Sequence, residues 1–172
     1  MKVKELMVRE VRSCRVEDNL NRAAHLMWEG DCGVLPVVET DGTVVGMITD
    51  RDICMAAYTK GGSLSSLRVG DAMAEQVSSC SPEASLETAM SLMKETHVRR
   101  LPVVDAQGKL AGILSLNDLA REARKQTKGG GREIKAVDVA ETLGVICEHR
   151  QPGAPVAKTQ GKRASELIGV GV

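Results

Sequence analysis

Two short segments hold the residue types best suited to chemistry. Gly46-Met47-Ile48-Thr49-Asp50-Arg51-Asp52 and Gly112-Ile113-Leu114-Ser115-Leu116-Asn117-Asp118 each place a hydroxyl three residues ahead of an acid. At a helix start, Thr49 or Ser115 can cap an amide of the first turn, with Asp52 or Asp118 at the capping-box position, where Asp is shorter than the usual Glu. The same geometry suits a ligand. Free N–H groups at a helix N-terminus, with the positive end of its dipole, favour a phosphate. A hydroxyl can donate to a phosphate oxygen, an Asp carboxylate can accept from two ribose hydroxyls, and Gly46 and Gly112 let a backbone approach closely. Capping and ligand binding are compatible, and the residue types leave both open.

The elements that position these segments come from a chain that repeats itself. The register that lays Met7 on Met73 runs without a gap to Ala57 on Ala123, with identities at Cys14/Cys80, Leu20/Leu86, Ala23/Ala89, Pro36/Pro102, Gly46/Gly112 and Asp52/Asp118. Each copy reads β-α-β-β-α. A lead-in stretch (11–16; 77–82) reaches Asn19 or Ser85, plausible N-caps. A helical stripe follows: Leu20, Ala23, Ala24 and Met27, then Leu86, Ala89, Met90 and Met93. Two apolar runs flank Asp41-Gly42 or Gln107-Gly108, which signal hairpin turns, and second helices start at Asp50 and Leu116.

Neither copy is large enough to bury its sheet alone, so an α/β (α+β) fold with two copies packed sheet to sheet is expected. The expected organisation is repeat one over 1–58, a Gly/Ser-rich linker over 59–66, and repeat two over 67–124. Residues 125–150 read as linker and short helix: a polar, glycine-rich break over 125–131, then Ile134, Val137, Ala140, Leu143 and Ile146 as its apolar positions. Residues 151–172 read as a flexible tail.

With the doubled Gly-h-x-Thr/Ser-x-x-Asp heptad (h is hydrophobic), each about ten residues after a Leu-Pro-Val-Val, the sequence resembles the tandem cystathionine β-synthase (CBS) domain pair, or Bateman module. The resemblance covers about residues 1–124. The compact form, with TDRDI in one copy and VRRLPVVD in the other, is similar to small stand-alone bacterial proteins of the hypoxic-response type.

The resemblance implies a pseudo-twofold module that binds adenosyl ligands in two clefts, each combining the heptad of one repeat with the first strand and pre-Leu-Pro segment of the other. On that basis the first cleft takes Gly46, Thr49, Arg51 and Asp52, with Val77, Ser78, Ser79, His97, Val98, Arg99, Arg100 and Pro102. The second takes Gly112, Ser115, Asn117 and Asp118, with Val11, Arg12, Ser13, Asp31, Cys32, Gly33, Val34 and Pro36. Arginines gather in the first cleft, and a planar guanidinium pairs with two phosphate oxygens at once. The second has only Arg12 against Asp31 and Asp118, so the first is expected to be the principal nucleotide site. Val77, Val98 and Pro102 are candidates for holding adenine. AMP, ADP, ATP, NAD and S-adenosylmethionine are not distinguished, and no further cofactor is required.

Composition removes several alternatives. Lys+Arg and Asp+Glu both total 23 in 172 residues, so nothing suggests a polyanionic or membrane-surface partner. Aromatics are 1%, too few for stacking platforms on single-stranded nucleic acid. No run reaches the ~20 apolar residues of a membrane span, and the N-terminus does not read as a secretory signal. Five scattered cysteines without a C-x-x-C pair fit reduced, buried thiols in the cytoplasm. A thiolate site from Cys14, Cys80 and Cys32 is the alternative, though such sites usually show close spacing.

His25, His97 and His149 are far apart and no catalytic motif occurs, so the chain is not expected to be an enzyme. The basic run Arg121, Arg124, Lys125, Lys128 and Arg132 reads as a solvated helix end in preference to a DNA contact. The main competitor to a nucleotide sensor is a docking module whose outer helices expose Ile53, Met55 and Leu119, and the resemblance implies that such helices pair the chain into a homodimer.

Overall fold

The structure is a computed structural model describing residues 1–129 and 134–148. The expected tail over 151–172, the end of the expected glycine break, Arg132 and His149 lie outside the described residues. The elements are α1 (Val3–Leu6), α2 (Leu20–Glu29), β1 (Val34–Val38), β2 (Val44–Thr49), α3 (Asp50–Lys60), α4 (Leu86–Thr96), β3 (Arg100–Val104), β4 (Leu110–Ser115), α5 (Leu116–Gly129) and α6 (Ala136–Cys147), with a 3-10 turn at Val69–Asp71. No helix among the described residues is long and apolar enough to cross a membrane.

The chain forms two compact units that do not follow chain order. One contains Glu10–Val77 with Gln107–Leu110; the other contains Met1–Arg9, Ser78–Ala106 and the described residues from Ala111 onward. The start of each sequence repeat therefore joins the unit built on the other repeat's helices and hairpin.

In the first of these units β1 and β2 pair antiparallel with Leu35 opposite Ile48 and Val37 opposite Gly46. The turn closes at Gly42, whose φ of 88° is a left-handed conformation suited to glycine. Asp41 accepts from the Thr43 amide at 3.0 Å and its hydroxyl at 2.9 Å, and these bonds hold its carboxyl below the usual range. Asn19 caps α2 by accepting from Arg22 N at 2.8 Å. Leu20, Ala23 and Met27 then face a core with Leu35, Val37, Ile48, Ile53 and Val69.

The expected lead-in strand is only a single bridge, Cys14 to Val37, and its counterpart is Cys80 to Val103. The physical reason is proline. Cys14 N donates to Pro36 O at 3.1 Å and Val38 N to Cys14 O at 2.9 Å. Extending that parallel ladder one step back would need an N–H from Pro36, which has none. Pro102 stops the other copy in the same way, after Cys80 N donates to Pro102 O at 3.2 Å and Val104 N to Cys80 O at 3.0 Å.

A third strand position on each hairpin is filled from elsewhere in the chain. Met47 and Ala74 exchange backbone hydrogen bonds at 3.0 and 2.8 Å on β2; Val8 and Ile113 exchange them at 2.9 Å on β4. Each unit closes its own set. Val69 N donates to Asp18 O at 2.8 Å in one, and Val3 N to Ala84 O at 2.9 Å in the other.

The second unit repeats the plan with Ser85 capping α4 by accepting from Thr88 N at 3.1 Å, over a core of Leu86, Ala89, Met93, Leu101, Leu114 and Leu119. Three expectations need correction. Residues 125–129 continue α5 rather than breaking it, because Lys and Gln are good helix formers and the glycines come last. α6 forms, but it buries Val139 and Thr142, while Val137 and Leu143 are 64% and 43% exposed. Burying Thr142 is tolerated because its hydroxyl donates to Asp138 O at 2.7 Å. Finally, Ile53 and Leu119 lie in the cores; Met55, Trp28 and Tyr58 are the exposed large apolar residues on α2 and α3.

Candidate functional site

Each Thr/Ser-x-x-Asp segment runs off the end of a hairpin strand into a helix, and both close as capping boxes. At α3, Asp52 Oδ2 accepts from Thr49 N at 2.9 Å and Thr49 Oγ1 at 2.7 Å, while Asp52 N donates back to Thr49 Oγ1 at 3.1 Å. At α5, Asp118 Oδ2 accepts from Ser115 N at 2.9 Å and from Ser115 Oγ, and Asp118 N donates to Ser115 Oγ at 3.2 Å.

This changes what the first helix can offer an anion. The first three amides of α3 already have partners: Asp50 N on Gly33 O at 3.2 Å, Arg51 N on Asp50 Oδ1 at 2.7 Å, and Asp52 N on Thr49. The cradle of free N–H groups expected from the sequence is therefore engaged, and the Thr49 proton is committed to Asp52. The group left open is the second carboxylate oxygen of Asp52, which has no partner among the described residues. It can accept from neutral hydroxyls but repels a phosphate.

Gly46 and Gly112 have a reason within the chain. A Cβ on Gly46 would meet Met73 Sδ at 2.7 Å and Ala74 O at 3.2 Å; on Gly112 it would meet Met7 Sδ and Val8 O, both at 2.8 Å. The close approach that these glycines permit is that of the added third strands.

The other candidates divide by unit. With Thr49, Arg51 and Asp52 stand Val11, Arg12, Ser13, Cys32, Gly33, Val34, Pro36 and Val77. Val34 pairs with Thr49 across the hairpin, and a Cβ on Gly33 would strike Asp50 Oδ2 at 2.8 Å, so Gly33 makes room for that carboxylate. Arg12 is spent on Glu29 at 2.9 Å.

With Ser115, Asn117 and Asp118 stand Ser78, Ser79, His97, Val98, Arg99, Arg100 and Pro102. Arg99 O accepts from Leu116 N at 2.9 Å, matching Gly33 and Asp50, and its exposed guanidinium Nη2 lies 3.4 Å from Cys147 Sγ on α6. His97 takes a left-handed φ of 53° as the C-cap of α4.

The matching cysteines are buried: burial pushes the Cys14 thiol up to about 12 and the Cys80 thiol up to about 11. Cys54 and Cys147 are exposed, which corrects the expectation of uniformly buried thiols. Among the described residues no group of three or more His, Cys, Asp or Glu could hold a metal ion. The basic run is partly neutralised, Arg121 by Asp118 and Lys125 by Glu122.

A repeated hairpin-to-helix capping box with this heptad is the shared feature of the two units, and the model of the CBS domain family matches residues 3–58 and 69–125. The chain belongs to the CBS domain family. Within that family it is similar to the CBS domain-containing protein YhcV of Bacillus subtilis, 39% identical over 118 residues that span 69% of this chain and 82% of that protein. It is also similar to hypoxic response protein 1 of Mycobacterium tuberculosis, 33% identical over 104 residues, 60% of this chain and 72% of that one. Among solved CBS pairs, CBSX2 from Arabidopsis thaliana in complex with AMP is 31% identical with a TM-score of 0.65, covering 73% of this chain and 98% of that one.

The sequence places Arg121 in a basic run and does not show its pairing with Asp118. The signal was present: an acid and an arginine three positions apart on one helix, in a frame where the first repeat has Met55.

Proposed function

We propose that this CBS pair is a regulatory module that binds an adenosyl compound, drawn from AMP, ADP, ATP, NAD and S-adenosylmethionine, and conveys its occupancy to a partner without catalysing a reaction. The observation that carries the reading is the Asp52 carboxylate. The capping box fixes its orientation with one oxygen, and the other remains available to accept from ribose hydroxyls. The AMP complex of the CBSX2 relative supports the ligand class. Binding to the native state alone raises its melting temperature by mass action. The test is the thermal shift given by each of the five compounds; a shift with one that disappears in Asp52→Ala supports the reading, and no shift with any of them defeats it.

A second reading has its own observation. On α2 and α3 a groove of about 660 Å³ is lined by Met27, Trp28, Ile53, Cys54, Ala57 and Leu64, with Trp28 87% and Tyr58 82% exposed. Such a face fits a docking surface for a second copy of the chain, without a physiological nucleotide. A protein that dimerises yet shows no ligand-dependent shift favours this reading.

A further inference from the structure

The two capping boxes match bond for bond, yet they differ one turn into the helix. Where α5 carries Arg121, the same position of α3 is Met55. Arg121 Nη2 donates to Asp118 Oδ1, so with Ser115 on Oδ2 both carboxylate oxygens are engaged, and the Asp118 side chain is only 5% exposed. Met55 has no donor, and Asp52 keeps Oδ1 open and is half-buried.

We propose that Arg121 is a specificity-determining residue that closes the second carboxylate to ribose, so that the chain takes an adenosyl ligand at Asp52 and not at Asp118. This rests on the reading above that these carboxylates receive ribose hydroxyls. The guanidinium–carboxylate bond is charge-assisted, and a ribose hydroxyl replaces it with a neutral donor. Displacing Arg121 therefore weakens binding at Asp118 about tenfold to a hundredfold. Arg121 is 70% exposed, so it acts as a cap over the acid and not as part of the core.

The test is calorimetric titration with AMP of the wild type, Arg121→Met, Asp52→Ala and the double variant. Arg121→Met is expected to add one equivalent of AMP in either background. An unchanged stoichiometry, or loss of existing binding on removing the arginine, overturns the closure. Failure of the underlying reading shows separately, as wild-type affinity retained in Asp52→Ala. Should Arg121→Met not fold, Met55→Arg at an exposed position makes the converse test: it is expected to cost the Asp52 site its AMP, and undiminished binding contradicts the proposal.

Discussion

Met73 lies against Gly46, its Sδ 2.7 Å from where a Cβ on that glycine would stand. The contact explains why the strand that ends in Thr49 needs a glycine at its middle. It also predicts that Gly46→Ala and Gly112→Ala each destabilise the fold by about 1–3 kcal/mol through overpacking. Gly144→Ala on α6, with nothing within 4 Å, is expected to be neutral or to stabilise by up to about 1 kcal/mol. Urea midpoints compare the three directly, and equal effects at Gly46 and Gly144 would refute the packing account.

Thiol accessibility gives a second check. Native protein treated with a thiol reagent near pH 8 is expected to label Cys54 and Cys147, which are exposed. Cys14 and Cys80, buried and pushed up to about 12 and about 11, should react only on unfolding. Prompt labelling of Cys14 would show that the bridge to Val37 is not closed.

Much of this fold is legible in the sequence because it is written twice. The caps Asn19 and Ser85, the stripe from Leu20 to Met27, and the turns at Gly42 and Gly108 each follow from local chemistry that both copies share. What the sequence hides depends on contacts distant in the chain. Nothing local says that Ala74 joins β2, or that Val8 joins β4, with Met73 and Met7 laid against Gly46 and Gly112. The helix amides looked free because the carbonyls of Gly33 and Arg99 that take the first of them lie before the preceding hairpin. The pairing of Arg121 is hidden for a similar reason: charge runs are visible in sequence, but which carboxylate each charge meets is not.

The face chosen by α6 is a third case. Val137, Ala140 and Leu143 form the obvious apolar stripe, yet packing on α4 and α5 selects Val139 and Thr142, with Lys94 and Glu141 paired at 3.2 Å. Val139→Asp is therefore expected to cost several kcal/mol as a buried unpaired acid, and Val137→Asp to stay within about 0.5 kcal/mol. Thermal melts of the two variants decide it; the reverse order would put the other face of α6 inward.

Acid should loosen the N-terminal segment. Glu83 pairs with Lys2 at 2.7 Å and Lys4 at 2.6 Å, and these hydrogen bonds hold its carboxyl down to about 2. A depressed folded pKa means the contribution is complete above the ordinary carboxylate range and is lost as pH falls from there towards about 2. The pairs are exposed, so the effect should be small and shrink with salt. Glu83→Gln is expected to flatten the pH dependence of melting in that window, and an unchanged profile would remove the pair from the account.

The most direct test of the central claim is the affinity for AMP against 2′,3′-dideoxy-AMP, in wild type and in Asp52→Ala. If the open oxygen of Asp52 receives ribose hydroxyls, the wild type should favour AMP by about tenfold to a hundredfold. Asp52→Ala should bind both nucleotides equally. A variant that discriminates as strongly as the wild type would contradict the assignment of Asp52 as the ribose-binding residue.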